Sequence, residues 1–342
     1  MTLEVNNIFM TKTLLLILLL VLTSCASDKK EIIKLEGNSQ GTTYHITYLS
    51  DNGVLYQKEI DSLLKNIDQS MSTWIPTSII SRINNNEKNV VVDEYFRTVF
   101  NKSVEVSQKT EGNFDITVGP LVNSWGFGPT KKNKLSKNQV DSLLQLVNYK
   151  MVTLKNNRII KSKTKIQIDF NAIAQGYSVD VIADFLESKR IKNYLVELGG
   201  EIKAKGKKNT EEWKVGIDQP TEDKSDRRKL EAIITLNNRA LATSGNYRKF
   251  YIEGNQKLSH IIDPKTGYAA KHNLLSTTVI ADDAITADAY ATAFMVMGLK
   301  KSIAFLEKNK SLNLEVYFIY DENGHWKTHT SQSLKKRIEQ LN

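Results

Sequence analysis

Apolar and polar positions recur with two different periods along the chain. An apolar residue at every third or fourth position predicts amphipathic helices over 60–69 and 95–109. Alternating or short apolar runs predict strands over 42–49 and 90–92. The same patterns predict strands over 194–198, 213–217, 232–236, 275–280 and 315–320, and a helix over 287–297. Because helices and strands do not alternate strictly, the pattern favours an α+β fold over a doubly wound sheet.

The segment 166–170 is predicted as a further strand that leads directly into a helix. Its alternate apolar residues would share one face and leave Asp169 on the opposite face. Apolar residues then recur at every fourth position from 173 to 185, which is typical of an amphipathic helix. Asn171 stands just before that helix and is expected to cap it. The most polar stretches, 131–137, 203–212 and 219–229, are predicted as surface loops within one compact unit.

The only cysteine, Cys25, lies shortly after an unbroken apolar run over 14–22. This run is too short to cross a bilayer, which needs about 20 residues. With Lys12 before it and small residues after it, the run has the features of an export signal. Residues 22–25, Leu-Thr-Ser-Cys, resemble a bacterial lipobox, in which the cysteine is lipidated and becomes the mature N-terminus. The alternative is a secretory signal with an incidental cysteine.

The lipobox interpretation divides the chain into three parts and predicts its location. We expect a lipoprotein signal peptide at 1–24, a lipidated tether at 25–34 and the folded domain at 35–342. The protein would be lipid-anchored through Cys25 in the cell membrane or outer membrane and would face the periplasm or extracytoplasmic space.

Composition excludes several classes of site and partner. The 342 residues include 47 Lys and Arg against 38 Asp and Glu, which gives a net charge of +9. A single cysteine excludes an internal disulfide and a cysteine-based zinc or iron–sulfur site. The basic runs 205–208, 227–229 and 335–337 are scattered and lack interleaved aromatic residues, so we expect no nucleic-acid partner. The sequence also lacks the phosphate-binding motifs of P-loop and dinucleotide-binding proteins.

Five clusters of glycine and polar residues each lie at the end of an apolar element. The first spans 112–128, where aromatic residues are suited to stacking on a planar ring and glycines permit close approach to a ligand. Alone, it is better explained as a loop whose aromatic residues close the core. The second spans 169–177, where a helix start offers free N–H groups to a phosphate. Asp169 would either reach such a ligand or serve as a cap or buried hydrogen-bond partner.

The third and fourth clusters each have a ligand-binding and a structural interpretation. In 243–248, the hydroxyl of Ser244 and the guanidinium of Arg248 suit a phosphate or ribose, and a tight turn is the alternative. In 260–267, Asp-Pro-x-Thr-Gly is typical of a turn. His260 precedes this turn and has the chemistry of a general base or acid near neutral pH.

The fifth cluster spans 286–293 and combines a carboxylate with a hydroxyl. If Thr286 caps this helix, Asp288 and Thr292 lie on one face near its positive end. They would form a partial Mg²⁺ site that substrate phosphates and water complete. The alternative is that Asp288 only complements the helix dipole, which is worth at most about 1 kcal/mol.

In this order, the five clusters closely resemble the ApbE family, the FAD:protein FMN transferases. The most specific stretches are Phe-Asp-Ile-Thr-Val-Gly-Pro-Leu-Val-Asn at 114–123, Ala-x-Gly-Tyr at 174–177, His-x-Ile-Asp-Pro-x-Thr-Gly at 260–267 and Ala-Asp-Ala-x-Ala-Thr at 287–292. The resemblance implies a bilobed, T-fold-like α+β unit with mixed, largely antiparallel sheets, packed helices and an active site in the cleft. It also implies an enzyme that uses Mg²⁺, transfers FMN from FAD to a threonine hydroxyl of a target protein, and releases AMP.

The resemblance also implies a role for individual residues of this chain. Asp288, Thr292 and the backbone carbonyl of Ala172 would hold the metal, and His260 would activate the acceptor hydroxyl. Asp169 and Gln175 would contact FAD. The flavin or adenosine pocket would be lined by Gln40, Trp74, Asn113, Phe114, Asp115 and Ile262.

Three positions depart from the usual family pattern. Gln40 stands where methionine is frequent, and Gln175 stands where a charged residue, often lysine, is common. Ala291 occupies a position where some members have a second aspartate near the metal. One fewer carboxylate should weaken Mg²⁺ binding without abolishing it, since Asp288 remains.

Two other functions remain compatible with the sequence. One is a Mg²⁺-dependent FAD pyrophosphatase, in which water replaces threonine and the products are FMN and AMP. The other is a lipid-anchored flavin-binding protein without catalytic activity. For a transferase, the resemblance implies target proteins such as subunits of respiratory NADH:quinone reductase or Rnf-type complexes.

Overall fold

The computed structural model describes residues 30–129, 135–220, 229–246, 250–253 and 256–341. The expected signal peptide, Cys25 and Arg248 lie outside the described residues. The helices within these ranges are α1 Gln57–Met71, α2 Ile79–Asn84, α3 Glu94–Lys109, α4 Gly119–Ser124, α5 Lys137–Leu144, α6 Ala174–Ser188, α7 Ala284–Met297 and α8 Leu299–Lys308. The strands are β1 Glu31–Ser39, β2 Thr42–Ser50, β3 Val152–Lys155, β4 Arg158–Lys161, β5 Tyr194–Leu198, β6 Glu201–Lys205, β7 Lys207–Lys208, β8 Glu211–Asp218, β9 Leu230–Leu236, β10 Arg239–Gly245, β11 Phe250–Glu253, β12 Gln256–Ser259, β13 Leu274–Ala281, β14 Glu315–Glu322, β15 His325–Thr330 and β16 Ile338–Gln340.

An eight-stranded sheet forms the centre of the fold. Its strand order is β1-β2-β5-β6-β10-β13-β14-β15, and each pair of neighbours runs antiparallel. A second sheet has the order β16-β9-β8-β7 and is also antiparallel. The pairs β3–β4 and β11–β12 form separate hairpins. These antiparallel sheets with packed helices confirm the predicted α+β class.

The two faces of the large sheet are buried by different partners because successive side chains of a strand point to opposite faces. On one face, Ile46 and Val196 share a core with residues of α1 and α6, such as Ile60 and Ile182. Residues that point to the opposite face, such as Leu49 of β2 and Ile202 of β6, share a second core with Trp213 and Ile234 of the four-stranded sheet. The large sheet is therefore the middle layer of the molecule.

Helix α7 lies inside the molecule and carries the fifth polar cluster. It contacts α6, α3 and α8 as well as strands β10 and β13. Most of its side chains are buried, including the small residues Ala287, Ala291 and Ala293. Small side chains let neighbouring backbones approach closely, and this helix is apolar on all sides, as expected for a fully buried helix. Polar groups on α7 are therefore held in fixed surroundings.

Most of the predicted elements are confirmed, but two short strands are wrong. Residues 90–92 and 166–170 do not form strands. The alternate side chains of 166–170 are buried as expected. Their backbone, however, does not pair with a neighbouring strand. Ile168 forms hydrogen bonds with the side chain of Asn84, and the amide of Asp169 donates to the carbonyl of Ile116 at 2.8 Å.

One predicted helix cap and one predicted loop are also wrong. Helix α6 begins after Ile173 and has no side-chain cap, because Asn171 lies in the preceding turn. Helix α7 begins one turn earlier than expected, and Asp283 rather than Thr286 caps it by accepting the amide of Thr286 at 2.9 Å. The polar stretch 203–212 contains strands β6 to β8 instead of a surface loop. No helix among the described residues is both long and apolar enough to cross a membrane.

Candidate functional site

The start of α6 lies against the first turns of α7. The amide of Gly176 donates a hydrogen bond to Oδ2 of Asp288 at 3.0 Å. A Cβ atom at position 176 would lie 2.3 Å from the carbonyl oxygen of Ala284 and 2.7 Å from Cβ of Asp288. Only glycine permits this contact, so the Ala-x-Gly-Tyr motif brings the second cluster onto the fifth.

The carbonyl of Ala172, in the turn before α6, is free. Gly176 is the third residue of α6, and the amides of a first helical turn have no acceptor within the helix. The amide of Gly176 donates to Asp288, and no described residue donates a hydrogen bond to the Ala172 carbonyl. Oδ1 of Asp288 likewise accepts no hydrogen bond from the described residues. Two oxygen atoms are thereby left with unused lone pairs.

Asp288 is buried, and its surroundings disfavour a bare negative charge. Burial raises the pKa of Asp288 to about 7, and the hydrogen bond from Gly176 only partly opposes this effect. One turn further along α7, the hydroxyl of Thr292 forms a 3.1 Å hydrogen bond with that of Ser244 on β10. This contact brings the third cluster onto the fifth.

The oxygen atoms around Asp288 fit a hard cation. A carboxylate from Asp288, a hydroxyl from Thr292 and the free carbonyl of Ala172 are the donor types that Mg²⁺ prefers. Within the described residues, no group of three or more His, Cys, Asp or Glu side chains is placed to hold a metal. A metal at this position would therefore need further oxygen ligands from phosphate or water.

Asp169 orders the loop that leads into α6. Its Oδ1 accepts the amide of Asn171 at 2.7 Å, and its Oδ2 accepts the side-chain amide of the same residue at 3.2 Å. Burial raises the pKa of Asp169. The side chain of Gln175 borders Gly199, because a Cβ atom there would lie 3.1 Å from Nε2 of Gln175. Asp169 thus lies just before α6, and Gln175 lies in its first turn.

Gln40 reaches the same helix from the β1–β2 turn. Its backbone is left-handed, with φ of 52°, and Gly41 follows with φ of 73°, which is typical of a two-residue hairpin turn. Nε2 of Gln40 donates to the hydroxyl of Ser178 on α6 at 2.7 Å. Oε1 is buried and has no hydrogen-bond partner among the described residues.

The first cluster is joined to the second and is organised by buried hydrogen bonds. Phe114 is buried, and the side-chain amide of Asn113 donates to the carbonyl of Thr110 at 2.6 Å. Oδ1 of Asp115 accepts the amide and hydroxyl of Thr117, and Oδ2 accepts the amide of Tyr149 at 2.8 Å. Burial raises the pKa of Asp115 despite these bonds. Asp115 therefore holds the loop together with both of its oxygen atoms.

The first cluster also contacts the fourth through two aromatic side chains. Nε1 of Trp125 donates to the carbonyl of Gly267 at 2.8 Å, and the ring of Phe127 meets that of His260 edge-on with centroids 6.2 Å apart. Ile262 is buried and forms an isolated bridge with Ala269. The folded chain thus links all five clusters, which are far apart in the sequence, through direct contacts.

Comparison with known proteins identifies the family. The sequence profile of the ApbE family matches residues 40–318, most of the chain. The chain belongs to the ApbE family. It is 37% identical over 335 residues to a FAD:protein FMN transferase from Haemophilus influenzae, a match covering 94% of this chain and 95% of that protein.

Solved structures of ApbE proteins share the fold. A flavin transferase ApbE from Vibrio cholerae matches with a TM-score of 0.80 and 35% identity, over 90% of this chain and 99% of that one. The apo form of the flavinyl transferase ApbE from Pseudomonas stutzeri matches with a TM-score of 0.80 and 28% identity, over 90% and 97%. Both the resemblance and the fold expected from it are confirmed.

Trp74 stands apart from the linked clusters of this ApbE chain. It lies in the turn between α1 and α2, and 61% of its surface is exposed. Its amide donates to the hydroxyl of Ser72 at 3.3 Å. None of the contacts that link the five clusters involves its ring, so its predicted role at the flavin pocket stays a prediction.

Three residues that support the site were missed in the sequence. Asn84 holds Ile168, and Nζ of Lys161 donates to the carbonyls of Ile83 at 3.0 Å and Ile166 at 2.9 Å. Burial lowers the pKa of Lys161 to about 8. The third, Asp180, had a visible signal: it is a carboxylate four residues after Gly176, among apolar residues of one helix.

Proposed function

We propose that this chain transfers FMN from FAD to a threonine hydroxyl of a target protein and releases AMP. The observation that supports it most is the contact between Gly176 and Asp288, which places a buried carboxylate beside the open start of α6. A helix start attracts phosphate, whereas a carboxylate repels it. A divalent cation held by Asp288 would resolve this conflict by supplying positive charge.

The phosphate groups of FAD would bind at the start of α6 rather than at α7. The first amides of α7 are already occupied, because those of Ala284 and Ile285 donate to Asp180 and that of Thr286 donates to Asp283. At the start of α6 the amides of Ala174 and Gly176 donate to the carbonyl of Phe170 and to Asp288, and the amide of Gln175 remains available to an anion.

Asp288, Thr292 and the carbonyl of Ala172 would hold Mg²⁺ in this arrangement. When bound, Mg²⁺ neutralises charge on the diphosphate and makes AMP a better leaving group. Ser244 would orient the hydroxyl of Thr292 through their 3.1 Å hydrogen bond. The protein residues thus supply position and charge balance, which dominate phosphoryl-transfer catalysis.

His260 would act as the general base for the acceptor. The threonine oxygen forms a bond to the phosphorus of the FMN moiety while the bond from that phosphorus to the oxygen of the AMP moiety breaks. The hydroxyl proton passes to the imidazole of His260, and AMP leaves with the bridging oxygen. The loop that carries His260 is fixed by Trp125 and lies against Phe127, which orients the imidazole.

The cellular setting is part of the same proposal. The lipobox-like sequence at Cys25 supports a lipid anchor in the cell membrane or outer membrane, with the domain facing the periplasm or extracytoplasmic space. The target proteins would be subunits of respiratory NADH:quinone reductase or Rnf-type complexes.

A single incubation separates the three candidate functions. The full chain in detergent is incubated with FAD, Mg²⁺ and an acceptor domain, with the acceptor's threonine changed to valine as the matched control. We expect one FMN added in mass to the acceptor, none on the control, equimolar AMP, and no reaction in EDTA. Free FMN and AMP without modified acceptor would indicate a pyrophosphatase. Bound but intact FAD after prolonged incubation would indicate a flavin-binding protein, and either result would contradict the proposed transfer.

A further inference from the structure

Asp180 joins three elements next to the proposed metal ligands. Its Oδ1 accepts the amide of Ala284 at 3.0 Å, and its Oδ2 accepts the amide of Ile285 at 2.9 Å. Nζ of Lys203 on β6 also donates to Oδ1 at 2.8 Å. The side chains of Asp180 and Lys203 are only 11% and 18% exposed. One buried carboxylate therefore connects α6, the start of α7 and the large sheet.

The contacts of Asp180 and Gly176 form two successive links between antiparallel helices. Gly176 on α6 faces Asp288 on α7, and Asp180, four residues later, faces Ala284, four residues earlier. Four residues correspond to about 6 Å along a helix axis. Two links at this separation fix both the axial position and the rotation of α7 relative to α6.

The helices are too close for α7 to shift while both links are in place. At Gly176 the carbonyl of Ala284 would lie only 2.3 Å from an added Cβ atom, so the backbones are in direct contact. An axial shift of α7 would break the hydrogen bonds at Asp180 and change the distance from Gly176 to Asp288. The position of Asp288 and Thr292 therefore depends on Asp180.

We infer that Asp180 is a positioning residue, whose carboxylate sets the position of α7 against α6 and so aims Asp288 and Thr292 at the metal and the diphosphate. The effect of this positioning on flavin transfer rests on the proposed function. Asp180 needs no contact with FAD or metal, because its oxygen atoms are occupied by two helix amides and its charge is balanced by Lys203.

Asp180→Asn tests this inference. Asparagine has nearly the same size, but it has only one terminal oxygen, so it cannot accept the amides of both Ala284 and Ile285 as the two carboxylate oxygens do. Asp184→Asn is the matched control, since Asp184 lies one turn further along α6 and is exposed. Glycine labelled with ¹⁵N makes the amide of Gly176 observable. We expect its hydrogen exchange in Asp180→Asn to be about tenfold faster or more, and the half-saturating Mg²⁺ concentration to rise about 10- to 100-fold. The kcat at saturating Mg²⁺ should change far less, and the control should match the native chain.

Native Gly176 exchange together with a native Mg²⁺ requirement in Asp180→Asn would overturn the inference. If that variant does not fold, Asp180→Asn combined with Lys203→Met removes both charges of this pair and is measured in the same way. Native behaviour of this double variant would show that Asp180 only balances Lys203, and would also overturn it; fast Gly176 exchange with a raised Mg²⁺ requirement would support it. Gly176 exchange needs neither FAD nor metal, so failure of the proposed transfer is distinguishable from failure of the positioning role.

Discussion

The side chain of Asn84 pairs with both backbone groups of Ile168. Its Nδ2 donates to the carbonyl oxygen at 2.8 Å, and its Oδ1 accepts the amide at 2.8 Å. One side chain thus replaces the neighbouring strand that would otherwise satisfy this buried segment. Because the next residue is Asp169, Asn84 also sets where the chain enters the site.

Asn84→Ala is expected to lower stability and weaken FAD binding. It leaves two buried backbone groups of Ile168 without partners, a loss of about 1–3 kcal/mol in the free energy of unfolding. Asn85→Ala is the matched control, because Asn85 is exposed and uses only its backbone at the end of α2. Urea unfolding and FAD titration measure both effects. Equal stability of the two variants would contradict the structural role of Asn84.

Asp288→Asn is expected to stabilise the metal-free protein at high pH. The pKa of Asp288 is raised from 3.8 to about 7 by burial, so the folded state binds more protons than the unfolded chain between these values. The contribution of Asp288 to the free energy of unfolding is therefore greatest below about pH 4, and it is lost as the pH rises to about 7. At pH 8 in EDTA we expect the Asn variant to be about 1–4 kcal/mol more stable, since each pKa unit is worth about 1.4 kcal/mol.

The measurement is a series of thermal unfolding curves from pH 4 to pH 8. The difference between the two proteins should be smallest near pH 4, where Asp288 is neutral in the folded protein and only about half ionised in the unfolded chain. Asn retains an oxygen to accept the amide of Gly176, so the helix contact is preserved. A stability difference that does not change with pH would show that the Asp288 carboxyl is not desolvated in the folded protein.

Asp288→Ala should reduce flavin transfer more completely than His260→Ala. Loss of Asp288 removes the only carboxylate proposed to hold the metal, so phosphate positioning and charge balance fail together. Loss of a general base typically costs 10²- to 10⁴-fold and leaves the rest of the site in place. Single-turnover rates of AMP release compare the variants, and near-native turnover in Asp288→Ala would refute the metal assignment.

Thr292→Val should raise the Mg²⁺ requirement, whereas Thr292→Ser should not. Valine matches the shape of threonine but lacks the hydroxyl that bonds Ser244, and serine keeps that hydroxyl. Ser244→Ala should produce a smaller rise than Thr292→Val, because it removes only the partner that orients the ligand. Mg²⁺ titrations at saturating FAD supply the comparison. Identical requirements in the Val and Ser variants would exclude Thr292 as a ligand.

Gly267→Ala should destabilise the His260 loop more than its backbone conformation alone explains. Gly267 has φ of 77°, and a Cβ atom there would lie 2.6 Å from Val140 on α5. Gly324 has φ of 82° with no atom within 4 Å of an added Cβ, so Gly324→Ala isolates the backbone cost of about 1–2 kcal/mol. We expect a further loss of about 1–3 kcal/mol at Gly267 from overpacking, measured by chemical unfolding. Equal losses of unfolding free energy in the two variants would show that the side chains of α5 move aside without loss of stability.

The sequence supports the long elements and the site motifs because their signals are local. Helix α3 has an apolar residue at every turn, and the Ala-x-Gly-Tyr motif places Gly176 directly on Asp288. The wrong predictions share one physical cause. Residues 166–170 have the alternation of a strand, but their hydrogen-bond partners, Asn84 and Ile116, are distant in the sequence. Periodicity reports which side chains are buried and not what the backbone bonds to.

The supporting residues were invisible for the same reason. Asn84 and Lys161 follow no motif, and their role depends on which loops the fold places beside them. The pattern of small and apolar residues does not show where the buried helix α7 begins, and its cap is Asp283 rather than Thr286. A fully apolar helix has no polar face from which its start can be read.

The β1–β2 hairpin also separates the chain's N-terminal entry from the site. Each strand has nine residues, and antiparallel strands rise about 3.4 Å per residue. The turn that carries Gln40 therefore lies about 30 Å from Glu31, at the opposite end of the hairpin. If Cys25 carries the proposed lipid, residues 26–30 reach at most about 18 Å. The hairpin would then be a rigid spacer, and its length would set the height above the bilayer at which a target threonine is presented.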